Sequence, residues 1–268
     1  MADILYGTTV QLGQQQAYSD QYDANLLQPI ERKLCRQQLS IQHFLGVDIW
    51  TGYEISWLDM QGKPCVDALE FIFPADSTHI IESKSFKYYL NSFNQTRIES
   101  TRALMDTLIA DLSAAAGATV TVQQYTTSAV VGLSGQIALD TEPLMEPSYQ
   151  PAPQYLRSNE QRVNEIVFSD LLKTNCPVTG QPDWASIWIG YTGGQIDHAG
   201  LLAYIVSYRQ QQDFHENCVE QIFCDLWQRC APEHLWVYAR YTRRGGLDIN
   251  PFRTSQLMAA PSVRGFRQ

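Results

Sequence analysis

Asp213–Cys230 reads DFHENCVEQIFCDLWQRC, and its spacing predicts a helix over about residues 214–230. Cys218, Ile222, Leu226 and Cys230 recur at i, i+4 with Val219, Phe223 and Trp227 beside them, a broad apolar stripe suited to lying across a sheet. Asp213 and Glu216 fit a D-x-x-E capping box at the start of that helix, which places His215 in its first turn. Cys218, Cys224 and Cys230 recur every six residues. On a helix that step turns each thiol through about 240°, so the three cannot converge on one metal ion and are expected in the core.

The sheet is legible on either side. LWVYARYT at 235–242, residues 164–173 and residues 184–191 are strand-like, with an apolar run, LLAYIVSYR, at 201–209. In the first half Ile49, Tyr53, Ile55 and Trp57, then Val66, Leu69, Phe71 and Phe73, alternate about a polar Asp59–Lys63 turn and predict a hairpin within about 42–73. A helix is expected over about 96–115, with Leu104, Met105, Leu108, Ile109 and Leu112 on one face and Gly117 as its stop. TVTVQQY at 119–125 is the next strand, while residues 1 to about 30 suggest a surface arm. Pro143, Pro147, Pro151 and Pro153 mark a linker, so the chain divides near residue 150 into 1–150 and 151–268, two units of similar element order. The fold class is α+β.

Composition bounds what such a chain can do. It has 268 residues, 44% hydrophobic, 11% aromatic and 18% charged, as in a globular protein with a substantial core. A net charge of −9 argues against direct nucleic-acid binding, because phosphates repel an acidic surface. Yet Arg240, Arg243, Arg244, Arg253, Arg264 and Arg267 share the C-terminal stretch with one acid, Asp248, so an anion can be met locally. The N-terminal residues resemble neither a secretory signal nor a basic transit peptide, and no run approaches the roughly 18–20 apolar residues of a membrane helix. Six cysteines with no CxxC pair suggest reduced thiols, and a cytoplasmic protein with no membrane partner is expected.

Four segments carry candidate chemistry. IESKSFKYYLNSFNQT, Ile81–Thr96, holds Lys84 and Lys87, two of the five lysines, on one side of a helical turn. TNCPVTGQPDW, Thr174–Trp184, sets Cys176 among turn formers seven residues before Asp183; a turn exposes a thiol, and a nearby acid exchanges its proton. The Asp213–Phe223 segment offers His215 and Glu216. RRGGLDINPFRT, Arg243–Thr254, combines close-approach glycines with guanidinium forks suited to phosphate. Each has a plain structural reading: a solvated corner, a buried turn cysteine, a cap and a basic hairpin.

Taken in order, ESKSFKYY, CPVTGQPD, FHE and RRGGLDINPFR resemble the QueF family, the NADPH-dependent 7-cyano-7-deazaguanine reductases of queuosine biosynthesis, in its long two-module form. The likeness runs from about Leu26 to Arg253. It implies two tandem tunnelling-fold modules, antiparallel sheets with helices on one face, the first carrying ESKSFK and the second the cysteine. A homodimer is implied too; open sheet edges in such modules invite a second copy. The implied reaction reduces a deazapurine nitrile to a primary amine with two NADPH.

The residues suit that task. Thiolate addition turns a nitrile, a poor hydride acceptor, into a thioimide that accepts hydride readily, which makes Cys176 the nucleophile. Asp183, its pKa raised by burial under the bound base, and His215 would move the protons. Glu82 and Glu216 would accept the paired N–H groups of the guanine-like edge, helped by Ile81 and Ser83, with His215 lining the substrate and Phe214 stacked on it. Ser83, Lys84, Arg244 and Gly245, with Arg243, would hold NADPH, since there is no GxGxxG. No metal site is expected: a zinc-dependent hydrolase on the same fold lacks partner thiols for Cys176. A non-catalytic purine-binding scaffold would need no nucleophile at all, and a Cys-His hydrolase would need an oxyanion hole that nothing marks.

Overall fold

The computed structural model describes residues 19–127, 131–144 and 147–268, with the backbone of 4–5 and 8–9. The surface arm expected at the N-terminus therefore lies outside the described residues up to residue 18, apart from a two-residue ladder joining Ile4–Leu5 to Thr8–Thr9. The chain forms two compact units, one of residues 1–38, 49–126 and 243–248, the other of 39–48, 127–242 and 249–268.

In the first unit the alternating residues form β1 (Leu45–Leu58, of which 49–58 belong here) and β2 (Pro64–Pro74). The Asp59 carboxylate closes their turn by accepting the N–H groups of Gln61 and Lys63, each at 2.9 Å, as Asx turns do. Two helices follow, α1 (Ser83–Asn91) and α2 (Thr101–Ala116), and then β3 (Thr121–Gln124), which pairs antiparallel with β2. The α2 helix starts five residues later than the spacing suggested because Thr96 and Ile98 are held by hydrogen bonds to the backbone of Leu58, 3.0 and 2.8 Å. Ser100 then caps it, its Oγ accepting the Ala103 N–H, and Gly117 ends it at φ 66°. Leu104, Leu108 and Leu112 are fully buried, whereas Met105 and Ile109 are half-buried, so the core face is narrower than expected. The Phe86 ring of α1 sits 5.2 Å from Trp50 and 5.1 Å from Phe71, anchoring α1 on the sheet through aromatic area.

The second unit holds β4 (Ser158–Asn175), β5 (Pro182–Ile196), α3 (His198–Ser207), α4 (His215–Cys230), β6 (His234–Tyr241) and β7 (Leu247–Thr254, of which 249–254 belong here). Its sheet runs β7-β6-β5-β4 antiparallel, with Ile137–Ala138 added parallel to β4. LLAYIVS of the run LLAYIVSYR forms the body of α3 and Tyr208–Gln210 follow as a 3-10 turn; every residue from Leu201 to Ser207 is buried, as an all-round apolar helix requires. The α4 stripe is buried as read, from Cys218 and Val219 through Ile222, Phe223 and Leu226 to Cys230, with Trp227 half-buried at its rim. Gly46 has a specific reason to be glycine. Its φ is +131°, and a Cβ there would stand 2.1 Å from the Phe252 carbonyl oxygen. The fold is thus α+β with antiparallel sheets.

Candidate active site

Cys176 follows the last residue of β4, and a short loop returns the chain to β5. Its N–H donates to the Gln181 carbonyl (2.9 Å) and its carbonyl accepts the Gly180 N–H (3.0 Å), so the loop closes tightly with Gly180 at φ +68°. Asn175 is also tied to the incoming segment before α4, its N–H donating to the Gln211 carbonyl at 2.7 Å. This packing corrects the expectation of an exposed turn thiol: Cys176 is 7% exposed. Asp183 stands opposite Thr174 in the β4–β5 ladder and is buried while Trp184 beside it is exposed, the alternation of a half-covered strand. A register shift follows at Ala185–Ile187, an irregularity of the kind found beside active sites.

The start of α4 supplies the remaining groups. His215 is its first residue, and its Nε2 lies 3.4 Å from Asp183 Oδ2. Glu216 is 3% exposed in the same turn. The D-x-x-E capping box does not place as read, because Phe214 is the N-cap and Asp213 lies outside it. Asp213 instead accepts the Phe214 N–H and the Asn217 side-chain N–H, both at 2.8 Å, which fixes the entry into the helix. Phe214 is itself buried. Burial pushes the Cys218 thiol well above its usual range, with Asp213, Asp183 and Glu216 acting in the same direction, so Cys218 is a core atom.

In the first unit Ile81 ends a short strand, Glu82 caps α1 and Ser83 opens it. The Glu82 carboxylate is 3% exposed; Oε1 accepts the Lys84 N–H at 2.9 Å and Oε2 the Ser85 N–H at 2.6 Å. Each oxygen keeps a further lone pair. Lys84 lies 5.7 Å from the Tyr88 ring. The RRGG turn carries Gly245 and Gly246 at φ +65° and +76°, and the Arg243 guanidinium sits 4.3 Å over Tyr53. A methyl at Gly245 would stand 3.3 Å from Lys87 Cδ, so the Lys87 stem runs past the turn. Left-handed glycine backbone beside guanidinium and ammonium groups fits a nucleotide phosphate.

Arg253, which the sequence places near those arginines, does not join them. Fully buried, it pairs with Asp48 at 2.7 Å and with Glu220 at 2.7 Å. Among the described residues no three His, Cys, Asp or Glu side chains are placed to hold a metal ion, and no helix is long and apolar enough to cross a membrane. Sequence reasoning missed Tyr241, whose ring stacks on His215 at 3.7 Å. Only the pairing of β6 with β5 could have signalled it.

Two family models match the chain: "Nitrile reductase, 7-cyano-7-deazaguanine-reductase N-term" over residues 18–124 and "QueF-like protein" over residues 182–259. A NADPH-dependent 7-cyano-7-deazaguanine reductase of Saccharophagus degradans is 52% identical over 97% of this chain and 100% of its own length. One of Bordetella avium is 53% identical over 96% of this chain and 97% of its own, and one of Paraburkholderia xenovorans 52% over 93% and 94%. Likeness of that degree, end to end, means that the chain belongs to the family of NADPH-dependent 7-cyano-7-deazaguanine reductases.

Proposed function

We propose that the chain reduces 7-cyano-7-deazaguanine to 7-aminomethyl-7-deazaguanine with two NADPH, in queuosine synthesis, through a thioimide on Cys176. The single observation that carries the reading is the mouth of the β4–β5 hairpin. There the Cys176 loop closes, Asp183 faces Thr174 across the ladder, and His215 Nε2 stands 3.4 Å from Asp183 Oδ2. The Cys176 sulfur adds to the nitrile carbon while Asp183 gives the nitrile nitrogen a proton. After one hydride the C–S bond breaks, releasing the Cys176 thiolate and leaving an imine, which a second hydride and a proton convert to the amine. NADPH supplies both hydrides when bound. His215 resupplies the protons that Asp183 gives up.

Glu82 of the first unit and Glu216 of the second, both buried carboxylates, are the acceptors proposed for the N–H groups of the base, with Ile81 and Ser83 flanking Glu82 in the chain and Phe214 preceding Glu216 by two residues. Ser83, Lys84, Arg244 and Gly245, with Arg243, hold the cofactor phosphates. The two family-model matches, 18–124 and 182–259, support tandem tunnelling-fold modules within 1–150 and 151–268. Cys218, Cys224 and Cys230, buried as core thiols, support a reducing, cytoplasmic setting, and a homodimer is the expected assembly.

The test is intact-protein mass after 7-cyano-7-deazaguanine is added without NADPH, followed by NADPH and absorbance. An adduct of the whole substrate mass, absent in Cys176→Ala and discharged with two NADPH oxidised per substrate, is expected. Asp183→Ala, with His215 left to protonate the nitrile nitrogen, should still form adduct but more slowly, and should reduce it slowly. Normal turnover by Cys176→Ala would sink the mechanism.

A further inference from the structure

We infer that Tyr241 is the positioning residue that holds the His215 imidazole in its working orientation, a deepening that rests on the proposed role of His215 as proton carrier. An imidazole that moves a proton at one nitrogen is ordinarily aimed by a hydrogen bond at the other. In this protein His215 Nδ1 is buried and has no hydrogen-bond partner among the described residues. The acid contact of the ring is at Nε2, 3.4 Å from Asp183 Oδ2, and one contact leaves the ring free to turn about its bond to Cβ. Tyr241 removes that freedom. The two rings are parallel within 2° and 3.7 Å apart, so rotation of the imidazole would drive it into the phenol.

Tyr241 is itself immobilised. It is 0% exposed and pairs with Ala185, two residues beyond Asp183, so Asp183 and Tyr241 occupy the same face of adjacent strands. Its N–H donates to Asn250 Oδ1 at 3.1 Å, and its carbonyl accepts from Gln268 Nε2 at 3.0 Å. The same Gln268 nitrogen also donates to Asn250 Oδ1 at 3.1 Å, which completes a clamp around the backbone of Tyr241. Burial above all pushes the Tyr241 hydroxyl well above its usual range, with Cys218, Asp183 and Glu216 acting the same way and Thr174 opposing. The phenol therefore stays neutral and serves as a plate.

The experiment is a double-mutant cycle on the full chain, reading kcat, KM for 7-cyano-7-deazaguanine and NADPH-free adduct formation. Tyr241→Leu should lower kcat by about tenfold, as misorientation of a general acid does, with KM within about threefold and adduct retained. Tyr241→Phe keeps the plate and should restore most of kcat. In a His215→Ala background Tyr241→Leu should cost no more than about twofold further, because the residue it positions is gone. Should Tyr241→Leu fail to fold, Gln268→Leu, which loosens the clamp, takes its place: a loss of about threefold that vanishes in His215→Ala. The inference is overturned if the folded variant keeps full kcat, if Tyr241→Phe falls as far as Tyr241→Leu, or if the losses multiply with His215→Ala. Wild-type protein that forms no adduct and oxidises no NADPH would instead reject the proposed reaction, which the same assays show separately.

Discussion

Arg253 and Glu220 form a forked ion pair in which Nε and Nη2 reach the same Glu220 oxygen at 3.0 and 2.7 Å, with neither side chain exposed beyond 1%. Asp48 meets Nη1 at 2.7 Å from the other side. One guanidinium thus neutralises two buried carboxylates and ties β7 to α4, one turn after Glu216. The mutual attraction pushes the Arg253 pKa up in spite of burial.

Removing that cation strands both acids without water. Arg253→Met should destabilise the protein by about 3–5 kcal/mol. The midpoint of thermal unfolding should fall by roughly 2–4 °C for each kcal/mol. Arg253→Lys, which keeps the charge and loses the fork, should recover part of the loss. Calorimetry showing no change in either variant would refute the account.

Glu82 caps α1 and, in the proposed reaction, accepts N–H groups of the substrate, two roles that substitution can separate. Glu82→Ala removes the acceptors for the Lys84 and Ser85 N–H groups and should cost about 0.5–2 kcal/mol in urea unfolding. Glu82→Gln keeps one acceptor oxygen for the cap but offers the substrate a neutral amide. Stability should be largely retained while affinity for 7-cyano-7-deazaguanine drops by about tenfold or more, the worth of a charge-assisted pair. Unchanged affinity in Glu82→Gln would mean that Glu82 is a cap alone.

Arg244→Ala tests the basic turn. The KM for NADPH should rise by about tenfold and the KM for the nitrile substrate by much less, with the NADPH effect shrinking as salt is raised. A uniform rise in both constants would detach the RRGG turn from cofactor binding.

Tyr22 and Tyr89 both donate to Asp111 Oδ2, each at 2.7 Å, joining the N-terminal segment to α1 and α2. Burial first, and then Asp111, push Tyr22 up to about 12. A pKa above the unfolded value near 10 means that the folded state holds the proton more tightly. The stabilisation is therefore complete below about pH 10 and is lost as pH rises towards 12. Chemical unfolding across that range should show stability falling with pH, and a shallower fall in Tyr22→Phe.

The sequence by itself determined the elements and the chemistry each could carry. Alternation in Ile49–Trp57 and Leu69–Phe73 and the four-residue recurrence from Cys218 to Cys230 are local patterns, and burying an apolar face is the same demand wherever the element goes. ESKSFK, CPVTGQPD, FHE and RRGGLDINPFR are likewise local strings, enough to mark the family. Tertiary structure alone decided which groups meet. Arg253, grouped in sequence with Arg243 and Arg244, lies across from Asp48 and Glu220 because β7 carries it into the core. Cys176 is buried because residues 211–213 return beside the end of β4. Tyr241 reaches His215 only through the register that sets it against Ala185. Such contacts join residues far apart along the chain, and their geometry depends on strand pairing and helix docking, which no local pattern of residue types encodes.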